Sequence, residues 1–148
     1  METSVILLVE DNPDDEALTL RALNKNNIKN ALVIARDGTE ALDYLFGRGK
    51  YEGRDTRTMP QVVLLDLKLP KLDGFDVLRA MRADDRTKLL PVVILTSSNE
   101  DQDRINGYGL GANSYIRKPV EFGAFIEAVK QLGLYWLILN QTAPVSAK

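Results

Sequence analysis

The segment Val62-Val63-Leu64-Leu65-Asp66-Leu67-Lys68-Leu69-Pro70 opens with four apolar residues and is bounded downstream by Pro70 and Gly74. Such a run reads as a short strand buried on both faces. Asp66 stands where the strand runs out. A carboxylate at the C-terminal end of a buried parallel strand is where open α/β sheets place ligands and chemistry. Asp also starts turns and caps helices for purely local reasons. The residue therefore gains meaning only from what else reaches the same place.

Other strands flank this one. Ser4 to Val9 is almost continuously apolar and ends in Glu10-Asp11, and Ala31 to Ala35 is a shorter run. Leu90 to Leu95 ends in Thr96-Ser97-Ser98, and Ala112 to Ile116 ends at Arg117-Lys118-Pro119. Helical signals lie between them. Asn12 caps a helix with Pro13 at its first position and acids in its first turn, carried by Ala17, Leu18, Leu20, Ala22 and Leu23 until Asn26-Asn27. Asp37-Gly38-Thr39 turns into a helix whose apolar face is Ala41, Leu42, Leu45 and Phe46. Phe75, Leu78 and Met81, with Val77 beside them, mark a third, and Asn99 to Gly109 a poorly apolar fourth anchored by Ile105 and Tyr108. Phe122, Phe125, Ile126, Val129, Leu132 and Trp136 define a last amphipathic helix, and the tail after Asn140 reads as frayed. Gly47 to Met59 reads as an exposed loop. Strand and helix thus alternate five times over, which predicts an α/β, doubly wound fold: a parallel sheet with helices on both faces.

A length of 148 residues suits one domain with a real core, and 45% apolar with 27% charged residues is ordinary for a globular chain. The net charge of −2 offers no basic field to nucleic acid or to an anionic membrane. With neither cysteine nor histidine, disulfides, thiolate sites and the usual zinc sites are excluded. Met1 to Ser4 lead straight into a strand without a basic n-region or a long apolar core, and no apolar run approaches the ~20 residues of a bilayer span. These features predict a cytoplasmic protein.

In a parallel sheet all strand C-termini share one edge. That edge would gather Glu10-Asp11, Asp66, Thr96 with Ser97, and Lys118. Close carboxylates raise one another's pKa values unless a cation joins them. Without histidine or cysteine that cation is a hard one with oxygen ligands, and Mg²⁺ fits one or two carboxylates plus phosphate oxygens. A carboxylate nucleophile, a divalent metal, a lysine and a hydroxyl are together the groups needed for phosphoryl transfer onto an aspartate.

At this point the sequence resembles the receiver domain of two-component response regulators. The motifs are Val9-Glu10-Asp11-Asn12, Leu65-Asp66-Leu67-Lys68-Leu69-Pro70-Lys71-Leu72-Asp73-Gly74, Leu95-Thr96-Ser97 and Tyr115-Ile116-Arg117-Lys118-Pro119, and the likeness runs from Ser4 to Leu132. It implies a five-stranded, flavodoxin-like sheet of order 2-1-3-4-5. It also implies that Asp66 accepts a phosphoryl group from a histidine kinase or a phosphotransfer protein. Asp11 and Asp66 would bind Mg²⁺ directly, with the Lys68 backbone carbonyl as a third ligand and Glu10 acting through water. Lys118 would pair with phosphoryl oxygens, Thr96 would move to bond one of them, and Tyr115 would be the aromatic switch. A cis peptide is implied between Lys118 and Pro119. Lys68 and Ser98 are expected to tune hydrolysis of the aspartyl phosphate.

The output is expected on the face made by the helix from Asn99, the strand to Ile116 and the last helix. Gly107, Gly109 and Gly111 there suit a segment that repacks, although Gly109 and Gly111 also suit a simple turn into the next strand. Leu134, Tyr135 and Ile138 fall away from the core stripe of the last helix, which predicts a homodimer through that region. The acid-rich start from Glu10 to Glu16 and the Tyr135-Trp136-Leu137 ending resemble small stand-alone regulators paired with phytochrome-type kinases. Residues 1–148 are expected to form this single domain, with no DNA-binding or enzymatic output segment, so that the output is protein binding. Two other classes compete. An aspartate-nucleophile phosphohydrolase would need a second Asp where Lys68 stands, and a phosphorylation-independent binding module would not need the full residue set. A nucleotide-binding α/β protein lacks support, since no Gly-rich phosphate loop follows the first strand.

Overall fold

The computed structural model describes residues 5–24, 31–96, 109, 111–118 and 120–131, with the backbone alone for Thr96, Phe122 and Val129. Several expectations fall outside the described residues: most of the helix from Asn99, the end of the first helix at Asn26-Asn27, and the anchors Leu132 and Trp136. The apolar set Leu134, Tyr135 and Ile138, the bond to Pro119, Ser97, Ser98, Gly107 and the tail after Asn140 fall outside them too.

The strands are β1 (Val5–Val9), β2 (Ala31–Ala35), β3 (Val62–Asp66), β4 (Val92–Thr96) and β5 (Ser114–Arg117). The helices are α1 (Pro13–Asn24), α2 (Gly38–Phe46), α3 (Gly74–Ala83) and α4 (Phe122–Gln131). All strand pairs are parallel and the order is β2-β1-β3-β4-β5, the doubly wound sheet expected. Asp66 lies opposite Leu95, and Thr96 opposite Arg117, so the polar strand ends do share one edge.

Alternation along the central strands divides the interior into two cores. Leu7, Val9, Val63, Leu65, Val92 and Ile94 face one way and pack with Ala41, Leu42 and Leu45 of α2 and Val77, Leu78 and Met81 of α3. Ile6, Leu8, Val62, Leu64, Val93 and Leu95 face the other way, against Ala22 and Leu23 of α1 and Phe125 and Ala128 of α4. Each fully buried side chain of this size contributes roughly 1.5–3 kcal/mol from leaving water. β5, at the sheet's edge, is buried only at Ser114 and Ile116, with Tyr115 and Arg117 outward.

Two local readings change. Phe75 is only partly buried, and the buried face of α3 is Val77, Leu78 and Met81. The reason is register: Val77 and Met81 are one turn apart and flank Leu78, which leaves Phe75 at the margin of the stripe. β4 begins at Val92 rather than Leu90, and Leu89 is 88% exposed. The 47–59 loop is exposed at most of its residues, as expected, and carries local structure of its own. Gly47 closes α2 at φ 66°, where a side chain would be strained. A short 3₁₀ turn follows at Gly49–Tyr51, and Tyr51 and Met59 pack against the α2–α3 core. Arg54 donates to the carbonyls of Tyr44 (2.6 Å), Leu45 (3.3 Å) and Thr58 (2.8 Å). Its guanidinium also lies 4.0 Å from the Tyr44 ring centre.

Candidate functional site

β1 delivers the first acids. The Glu10 N–H donates to the Ala35 carbonyl at 2.9 Å, which extends the strand by one residue and seals Glu10 inside at 0% exposure. The next residue, Asp11, is exposed. Asn12 then caps α1, its Oδ1 accepting from Asp14 N at 2.8 Å and Asp15 N at 3.1 Å. That cap fixes the first turn of α1 directly above the sheet edge.

β3 delivers Asp66, 5% exposed. Its Oδ1 accepts from the Lys68 N–H at 3.2 Å, so the following loop folds back onto the carboxylate, while the residue Lys68 itself is exposed. The loop is closed by Gly74, whose N–H donates to the Leu67 carbonyl at 2.9 Å. A β-carbon at Gly74 would lie 2.4 Å from the Asp66 carbonyl oxygen. Only glycine lets α3 begin this close to the acidic strand end.

Lys118 follows β5 and enters the cluster from the other side. Its Nζ donates to Glu10 Oε1 and Oε2 (3.0 and 3.2 Å), Asp15 Oδ2 (2.8 Å) and Asp66 Oδ2 (3.1 Å). Carboxylate oxygens of Glu10, Asp11 and Asp66 all lie within 4.8 Å of one another. The structure thus brings together Glu10, Asp11, Asp66 and Lys118, with Lys68 in contact through its backbone. Thr96 is at the same edge by register, and its side chain is outside the described residues. Tyr115 is 38% exposed, on the β5 face away from Ser114 and Ile116. Asp15 was not anticipated. First-turn acids are explained by the helix dipole alone, so nothing in the sequence separated Asp15 from Asp14 and Glu16.

Burial pushes Glu10 up from 4.5 to about 7, with the Asp66 charge adding to it, although the bond from Lys118 acts the other way. Burial pulls the Lys118 ammonium down, but the bonds to Asp15 and Glu10 and the charge of Asp66 outweigh it, and the net shift is upward. Glu10 and Asp66 repel one another across the cluster, a repulsion that a cation between them would relieve. The donor set is all oxygen. It fits a small hard cation such as Mg²⁺, held by carboxylates with room for water and phosphate oxygens.

The receiver-domain family model, "Response regulator receiver domain", matches residues 6–130. The chain is 40% identical to the probable methanogenesis regulatory protein FilR2 of Methanothrix harundinacea over 93% of this chain and 86% of that one. It is 38% identical to the response regulator Rcp1 of Synechocystis over 90% of this chain and 88% of Rcp1. The Mn²⁺-bound structure of Rcp1 superposes with a TM-score of 0.73 at 37% identity, covering 90% and 94% of the two chains. The bacteriophytochrome response regulator AtBRR superposes with a TM-score of 0.84 at 53% identity, covering 92% and 96%. The sheet order, the acidic edge with its lysine and the match over residues 6–130 lead to one conclusion: this chain belongs to the receiver-domain family of response regulators, signalling modules regulated by phosphorylation.

Proposed function

We propose that this protein is phosphorylated on Asp66 and signals by changing what it binds. The observation that carries the reading is Asp66 itself: a nearly buried carboxylate at a strand end, in contact with Lys118 and within 4.8 Å of two further acids. In the transfer, an Asp66 carboxylate oxygen forms a bond to the phosphorus of a phosphohistidine. The P–N bond breaks and its electron pair leaves with the imidazole. Lys118 lies where it can bond a phosphoryl oxygen while Asp66 is attacked. The Lys68 N–H holds Asp66 Oδ1, which fixes the carboxylate's rotation. Asp11, Asp66 and the Lys68 carbonyl would hold Mg²⁺, with Glu10 behind them. When bound, the ion neutralises negative charge that develops on the transferring group. Thr96 and Tyr115 are proposed as the residues that read the change, Thr96 by bonding the phosphoryl group and Tyr115 by turning inward.

The likeness to the bacteriophytochrome response regulator AtBRR supports a phytochrome-type histidine kinase as the phosphodonor, acting directly or through a phosphotransfer protein, and with it a cytoplasmic setting. Among the described residues no helix is long and apolar enough to cross a membrane. A homodimer through the C-terminal helix region rests on Leu134, Tyr135 and Ile138 in the sequence. A sedimentation run finding only monomer at high concentration, phosphorylated or not, would remove it.

Incubation with Mg²⁺ and acetyl phosphate, followed by intact mass, tests the acceptor. One phosphoryl group should appear on the wild type and none on Asp66→Asn. No gain in a folded wild-type sample with Mg²⁺ present would replace this reading with a phosphorylation-independent binding module.

A further inference from the structure

The ammonium of Lys118 has three N–H bonds, and three carboxylates share them. Of these, Glu10 is 0% exposed and fixed by its position in the sheet, and Asp66 is 7% exposed in its side chain. Asp15 makes the shortest contact at 2.8 Å, yet its side chain is 31% exposed and stands on the first turn of a helix. A phosphoryl group on Asp66 brings three acceptor oxygens beside an ammonium whose bonds are all taken. The bond to Asp66 can pass to its own phosphoryl group, but Lys118 reaches a second phosphoryl oxygen only if Glu10 or Asp15 gives way. Glu10 has nowhere to go without leaving a buried carboxylate unpaired, which is costly. Asp15 can rotate into water at little cost, because it is already partly hydrated.

We propose that Asp15 is a positioning residue: it holds one Nζ–H of Lys118 in the resting site and yields it to a phosphoryl oxygen once Asp66 is modified. The inference rests on the reading of Asp66 as acceptor. No covalent bond of Asp15 changes. A hydrogen bond is exchanged, from a carboxylate oxygen to a phosphoryl oxygen, and the proton stays on Lys118. Asp15 therefore stabilises the unmodified state relative to the modified one. It also adds a negative charge that an anionic phosphodonor must approach.

The test compares wild type with Asp15→Asn, Asp15→Ser and Asp15→Glu, each at Mg²⁺ saturation established by calorimetry on that variant. Two quantities are read: the rate of phosphorylation by acetyl phosphate, and the affinity for beryllofluoride, a non-reacting phosphoryl mimic. Asp15→Asn and Asp15→Ser should phosphorylate faster and bind beryllofluoride more tightly, each by roughly three- to tenfold, the size of one charge-assisted contact near the surface. Asp15→Glu restores the charge and should return to within about twofold of wild type. A purely structural role at the helix start would lower the unfolding midpoint of the neutral variants without improving either quantity. Unchanged or weaker beryllofluoride binding in both neutral variants, at the temperature where they are folded, overturns the proposal. A wild type that takes up no phosphoryl group is a different failure: it removes the acceptor reading and the inference with it.

Discussion

Two cations tie loops together at opposite edges of the sheet, and their partners differ in kind. At the carboxyl edge Lys118 is held by Glu10, Asp15 and Asp66, all acids. At the amino edge Arg82, near the end of α3, donates to the carbonyls of Gly111 (2.7 and 3.1 Å), Lys88 (3.0 Å) and Thr87 (3.3 Å) and to Asn113 Oδ1 (3.2 Å). Burial pulls the Arg82 guanidinium below its usual range. Carbonyls cannot be titrated, and they carry no net charge to neutralise a cation. Carboxylates can exchange one cation for another. A cation bound to backbone carbonyls fixes geometry, whereas one bound to several acids is open to exchange, and that is the difference between a brace and a reactive centre.

Lys118→Met should show the largest effect. It removes the donor nearest the acceptor and should slow phosphorylation by acetyl phosphate roughly a hundredfold or more. It also leaves Glu10 buried without its cation, at a cost of about 3–5 kcal/mol in chelator-treated protein. Added Mg²⁺ should recover part of that stability, as read by urea unfolding with and without EDTA.

Arg82→Ala sharpens the contrast from the other side. Loss of its carbonyl contacts should destabilise by roughly 2–4 kcal/mol, while phosphorylation at a temperature where the protein is folded stays within about twofold of wild type. A rate loss matching that of Lys118→Met would abolish the distinction.

Gly74→Ala is intermediate, because it strains packing against Asp66, the proposed acceptor. Relieving a contact of 2.4 Å to the Asp66 carbonyl should cost about 1–3 kcal/mol. Phosphorylation should also slow, since the loop that positions the Lys68 N–H must shift.

The smallest effect belongs to Asp37, whose side chain accepts from Glu40 N at 2.7 Å and caps α2. Asp37→Ala should cost about 1 kcal/mol. The cap bond and Lys71 hold the Asp37 carboxyl below its ordinary 3.8. Its folded value is depressed, so its contribution is complete above 3.8 and is lost as pH falls through the lower folded value. Asp37→Asn, which keeps the cap without the proton, should flatten that acid limb of the unfolding curve.

The parallel sheet and the gathering of Glu10, Asp66 and Lys118 were legible because strand direction alone sends every strand end to one edge. Asp15 was not, since a helix's first turn favours acids whether or not a lysine waits across from them. Arg82 left no sequence signal either: its partners at Gly111 and Asn113 are backbone and amide groups about thirty residues away. The loop over 47–59 reads as exposed from its charges, and most of its residues are exposed. Its order comes from Arg54, whose charge is spent on carbonyls at the end of α2. Phe75 packs partly buried against the same core, while the helical register gives the fully buried place to Val77.

The division of the interior has a consequence for how such a chain can drift. Along β3 the side chains of Val62 and Leu64 face α1 and α4, and those of Val63 and Leu65 face α2 and α3. Asp66 continues the first set by the two-residue period of a strand. Compensating exchanges of volume among Leu7, Val63, Ile94, Leu45 and Leu78 can therefore accumulate in one half of the molecule, separated by the sheet from the face that carries the proposed acceptor. Exchanges among Leu8, Leu64, Leu23 and Phe125 share that face. The first half can diversify while the second stays tied to the chemistry.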